Sequence, residues 1–79
     1  MASNIISILQ IKCKNLKQLA IKNNDIEKIN VFTIIENILN QKYCFMHISP
    51  SSAISIICDL GFNKDEAVIL YSSIIKEQA

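Results

Sequence analysis

Arginine and tryptophan are absent from this chain, and glycine, proline and histidine occur once each. Each absence removes a class of function. Without arginine there is no bidentate reader of guanine or clamp for phosphate; lysine offers only a point charge. A single glycine cannot build a phosphate-cradling loop. A single histidine leaves little for general acid–base chemistry. Scarce glycine and proline, with 51% hydrophobic and only 19% charged residues, exclude a disordered chain. No unbroken apolar run approaches the roughly 18 residues of a transmembrane helix. The opening Met1-Ala2-Ser3-Asn4 lacks a positive leader, Ser7 and Gln10 interrupt the apolar stretch Ile5–Ile11, and no small-residue cleavage site follows. No secretory signal and no membrane association are expected. Eight lysines against seven acids give a net charge of +1, too weak a field to draw nucleic acid or an anionic surface.

What remains is small and greasy. Seventy-nine residues, 8.9 kDa, are read as one domain over 1–79. Size scaling gives roughly 4,800 Å² of folded surface against roughly 12,900 Å² for the open chain, so about 63% is buried, a marginal core. Isoleucine occurs 17 times and asparagine 8 times, the mark of AT-rich coding sequence. Three cysteines, Cys13, Cys44 and Cys58, cannot all pair with one another. Without a leader, an odd count favours reduced thiols and a cytoplasmic setting. All three have apolar neighbours, where a free thiol packs as a small hydrophobe.

Periodicity predicts four helices. Ile6, Leu9, Cys13, Leu16 and Ala20 recur at helical spacing behind a cap at Ser3 or Asn4, and Asn23-Asn24 ends that segment. Asn24 and Glu27 stand at capping-box spacing, which starts a second helix near Asp25. Its stripe is Ile26, Ile29, Phe32, Ile35, Leu39 and Tyr43, with Asn30 as an alternative restart. Tyr43–Ile48 has no helical pattern and reads as a connection. Ser49-Pro50 is the strongest local signal: serine caps, and proline in the first turn loses only an amide without a partner. The third helix runs Pro50–Leu60 and buries Ala53, Ile54, Ile57 and Leu60. Gly61 stops it, Asn63 and Glu66 form a second capping-box pair, and a fourth helix covers Lys64–Lys76. The expectation is an all-α, antiparallel four-helix bundle whose last two helices form a hairpin.

Leu60-Gly61-Phe62 followed by Glu66-Ala67 resembles the start of ubiquitin-associated-like domains, but a capped helical hairpin explains the same residues and is the reading taken. Leu19-Ala20 resembles the opening of a DNA-binding helix-turn-helix. Asn23, Asp25 and Asn30 then stand where that pattern wants apolar residues, so it fails. Cys44 and His47 have ligand-like spacing, but no second tight pair accompanies them, and Cys13 and Cys58 sit alone on apolar stripes. No orienting third group supports a Cys–His nucleophile. No catalytic residue, metal or cofactor is assigned, and the chain is expected not to be an enzyme. Lys12, Lys14, Lys17 and Lys22 read as a solvated face.

The functional expectation rests on surplus apolar surface. Ile5, Ile6, Ile8, Leu9 and Ile11 crowd the first helix, and Ile54, Ile56 and Ile57 the third. Val68, Ile69, Leu70, Tyr71, Ile74 and Ile75 crowd the fourth. These sets wrap more than one face, and a two-layer bundle buries only one face of each helix. Large leftover patches mark protein interfaces. The candidate partner-binding residues are Ile5, Ile8, Leu9, Ile11, Ile56, Ile69 and Tyr71. The partner is expected to be another protein chain, in a hetero-complex or a homo-oligomer. The expected role is adaptor, co-chaperone or small subunit of a larger bacterial assembly such as a secretion system. A small inhibitor or immunity protein and a dimeric DNA-associated regulator are the alternatives.

Overall fold

The computed structural model describes residues 4–41 and 43–78, and these form four helices with no strand among them. They are α1 (Asn4–Lys22), α2 (Ile26–Leu39), α3 (Pro50–Asp59) and α4 (Lys64–Gln78). α1 packs chiefly on α2 and α3 on α4, with a lighter contact between α1 and α4. The result is the expected small all-α bundle, two hairpins laid together, measuring 38 × 25 × 19 Å.

Local chemistry explains the helix ends. α1 stops because Asn24 takes a left-handed conformation, φ 55°. The Asp25 amide then donates to the Ala20 carbonyl (2.9 Å) and the Asn24 amide to the Ile21 carbonyl (3.1 Å), a Schellman closure with asparagine in the place of glycine. The expected Asn24–Glu27 box is therefore corrected. Asn24 is occupied in the turn, and Asp25 caps α2 by accepting from the Lys28 amide at 3.3 Å. A cap at Ser3 lies outside the described residues. At α3, Ser49 accepts from the Ser52 amide (3.2 Å) behind Pro50, as read from the sequence. The Asn63–Glu66 box is complete: the Asn63 amide donates to Glu66 Oε1 (3.1 Å) and the Glu66 amide to Asn63 Oδ1 (2.8 Å).

Gly61 joins α3 to α4 at φ +103°, a conformation that L side chains rarely adopt, and its amide donates to the Cys58 carbonyl at 2.9 Å. A methyl group there would meet only the flexible end of Lys12, at 3.4 Å, so the cost of substitution is conformational rather than steric. Gly61→Ala is expected to destabilise the domain by about 1–2 kcal/mol, read as a lower urea midpoint with an unchanged slope.

The core holds Leu9, Cys13 and Ala20 of α1, Phe32, Ile35 and Leu39 of α2, Ala53 and Ile57 of α3, and Ala67 and Ile74 of α4, together with Leu60. Polar contacts fix the α1–α2 pair. Gln10 Nε2 donates to the Leu39 carbonyl (3.0 Å), satisfying one of the free carbonyls at the end of α2. Lys17 Nζ reaches Glu36 at 3.2 Å, and the Cys13 thiol donates to the Phe32 carbonyl at 3.3 Å.

Four expectations are corrected. α2 is continuous through Asn30 but stops at Leu39, and both ends of the expected stripe face solvent: Ile26 is 70% exposed, and Tyr43, past the helix end, is exposed in a left-handed conformation. α4 continues two residues past Lys76. Ile54 is only half-buried. The connection before α3 is more than a connection. It sends Cys44 and Phe45 into the core, and Phe45, 1% exposed, is among the largest fully buried side chains. Its ring meets Tyr71 at 6.4 Å in a tilted arrangement.

Candidate interaction surface

α1 presents two unlike sides. One buries Leu9, Cys13 and Ala20; on the other, Ile8, Ile11 and Leu19 are 57%, 62% and 53% exposed. Positions 8, 11, 15 and 19 advance by 3, 4 and 4, so they lie along one side of the helix. Ile8, Ile11, Lys12, Asn15 and Leu16 line a shallow depression there. Leu16 and Leu19 also line a second groove, together with Asp25, Lys28, Phe32 and Asp59. The two depressions share Leu16.

The seven residues proposed from sequence are not brought together. Ile8 and Ile11 share the α1 depression. Leu9 is fully buried, so its place among the partner-binding residues is corrected: one residue round from Ile8 is about 100° of helix, enough to turn it from solvent into the core. Ile5 and Ile56 are half-buried against the core. On α4, Ile69 is 66% exposed while Tyr71 packs inward near Phe45. Two helical positions are about 200° apart, so these two cannot serve one surface. Leu19 is the residue that sequence reasoning missed on this side of α1; Ile21, also exposed, lies off the row. The spacing of Leu19 from Ile8 and Ile11 places it with them. Val31 and Ile34, exposed on α2, were also missed.

Charge is segregated, although the total is nearly balanced. α1 carries Lys12, Lys14, Lys17 and Lys22 and no acid, a local charge of +4. All seven acids lie beyond it, leaving −3 for the rest of the chain. Lys17 is engaged with Glu36, and Lys12 Nζ sits 5.0 Å above the Phe62 ring, a cation–π contact. Lys14 and Lys22 are exposed, with no ion pair among the described residues.

The thiols are not arranged for chemistry. Burial pushes the Cys13 thiol above its ordinary value of 9.0; the nearby Glu36 carboxylate adds to the rise and Lys17 opposes it. Burial likewise raises Cys44, against hydrogen bonds that include one from Gln78 Nε2 at 3.8 Å. Both are therefore neutral near pH 7, the unreactive form. His47, three residues from Cys44, is exposed in the loop. Among the described residues no three His, Cys, Asp or Glu side chains come within reach of one metal ion.

Half-buried Cys58 is expected to react first with a disulfide reagent at mildly alkaline pH, while Cys13 and Cys44 wait for unfolding. A pH effect follows with definite sign. Unfolded thiols ionise near 9.0 and the folded ones only above it, so past that point the unfolded state binds fewer protons and stability falls as pH rises. Below it the contribution is fully present. The urea midpoint should accordingly hold up to about pH 9 and fall above it.

No family model, curated protein or solved structure matches this chain. No helix among the described residues is long and apolar enough to cross a membrane.

Proposed function

We propose that this chain is a non-enzymatic helical interaction domain that buries the outer side of α1 against another protein. The observation that carries the reading is the row Ile8, Ile11 and Leu19, each more than half exposed on a helix whose opposite side is already in the core. Fully burying one such side chain is worth about 1.5–3 kcal/mol, so a partner covering the half left open recovers about 1 kcal/mol at each. That is a substantial gain beside the stability of about 4–12 kcal/mol typical of a domain this size. The role is stoichiometric: an adaptor, co-chaperone or small subunit of a larger bacterial assembly. A cytoplasmic setting belongs to the same reading and is supported by three free thiols, two of them buried.

The test is the double variant Ile8→Asp/Ile11→Asp, expressed in the source cell beside the wild type, with bound chains compared by cross-linking and mass spectrometry. The expected result is a partner held by the wild type and lost from the variant, with the helical circular-dichroism spectrum unchanged. Identical cross-linked sets from the two proteins would overturn the assignment of α1 as the interface.

A further inference from the structure

We infer that the occupant of the α1 surface is an acidic amphipathic helix from another protein, seated with its apolar side on Ile8, Ile11 and Leu19 and its carboxylates beside Lys12, Lys14 and Lys22. This rests on the reading of α1 as an interface and adds the chemistry of the partner. The shape comes first. Ile8 to Leu19 spans about 16 Å of α-helix, three turns, a length that a second helix matches with anchors at i, i+3 or i+4, i+7 and i+11. Charge then selects the partner's sign. On a helical projection Ile8, Ile11, Asn15 and Leu19 form the middle of the exposed side, Lys12 and Lys14 lie on opposite edges of it, and Lys22 lies at its C-terminal end. No acid occurs anywhere in α1, and of its four lysines only Lys17 has an ion pair among the described residues. Lys12 and Lys14 thus border the row at Ile8 and Ile11, where no acid lines the depression, and Asp25 and Asp59 enter only at the groove of Leu16 and Leu19.

Three other occupants fit less well. A second copy pairing α1 on α1 would bring Lys12, Lys14 and Lys22 of each chain together, six lysines in one interface, and like charges brought together cost several kcal/mol. A nucleic acid would use the lysines and leave Ile8, Ile11 and Leu19 facing phosphate, which gains nothing from them. An anionic bilayer gains only about 1 kcal/mol per lysine, and α1 cannot sink into it, because its other side is committed to the core.

The experiment is a titration of the intact protein, followed by anisotropy, with a labelled amphipathic peptide of about 20 residues, long enough to hold a helix in water. It carries leucine at the anchor spacing and glutamate on both flanks; its twin carries lysine in place of every glutamate. The acidic peptide is expected to bind at least about tenfold more tightly than the twin, and to weaken as salt rises from about 0.05 to about 0.5 M. Lys14→Glu/Lys22→Glu, which breaks no contact seen in the fold, should weaken the acidic peptide about tenfold and tighten the twin. Ile8→Asp/Ile11→Asp should remove binding of both. Equal affinity for the two peptides, no binding of the acidic one, or a stronger response to phosphatidylglycerol vesicles, to duplex DNA or to a second copy in sedimentation overturns the inference. The cellular comparison above is independent of it. If Ile8→Asp/Ile11→Asp still loses a cellular partner while the acidic peptide fails, the charge assignment falls and the interface stands; if neither shows an effect, both fall.

Discussion

Truncating Phe45 to alanine is expected to leave little folded protein at physiological temperature. The side chain is 1% exposed and lies among residues of the common core, with Tyr71 beside it. Deleting a buried phenyl ring typically costs about 3–5 kcal/mol, from lost transfer free energy and from the cavity left behind. A chain of 79 residues has about 4–12 kcal/mol in all, so this one change removes between a quarter and all of it. At about 4–8 °C per kcal/mol for small domains, the thermal midpoint should fall by at least about 12 °C. Met46→Ala is the internal control. Met46 is the next residue in the same loop but is half in solvent, and its truncation should stay within about 0.5 kcal/mol. Calorimetry or circular dichroism on the pair settles the matter, and equal midpoints would show that the loop does not contribute to the core.

The contrast also explains why this anchor was illegible. Ser49-Pro50 and Asn63–Glu66 announced themselves because their hydrogen bonds close within a few residues and depend on little else. The helical stripe of α1 was legible for a similar reason: one period, carried through five residues, picks out Leu9, Cys13 and Ala20 without knowledge of the partner helix. Phe45 has no such local signature. Its burial depends on a chain reversal that brings it against α4, a contact 26 positions away in the sequence. The start of α2 failed more subtly. Asn24 and Glu27 had the right spacing, but the end of α1 required a left-handed residue first, and Asn24 satisfied that need. The cap passed to the next side chain able to accept an amide.

The candidate surface was half legible for a related reason. Sequence counting found more apolar residues near the start of α1 than a single side could hold, and Ile8 and Ile11 are indeed left in solvent. Counting could not decide which members of the cluster were surplus. Leu9 belonged both to the core stripe and to the suspected surface, and the stripe was the physically stronger claim. Ile5 lies near the same boundary and is half-covered against the core.

Adjacent residues therefore give the sharpest test of the arrangement. Leu9→Asp should leave the chain unfolded at neutral pH. It replaces a fully buried leucine, whose loss alone is worth about 2–5 kcal/mol, with a carboxylate that has no partner in an apolar core, at a further penalty of several kcal/mol. The two terms together are of the size of the whole stability of so small a domain. Ile8→Asp places the same charge one position earlier, on a site more than half open to water. A change within about 0.5 kcal/mol is expected there. Far-ultraviolet circular dichroism should show coil for one variant and wild-type helix for its neighbour. If Ile8→Asp unfolds as well, α1 is rotated from the orientation described, the exposed row closes into the core, and no interface on that side of the helix survives.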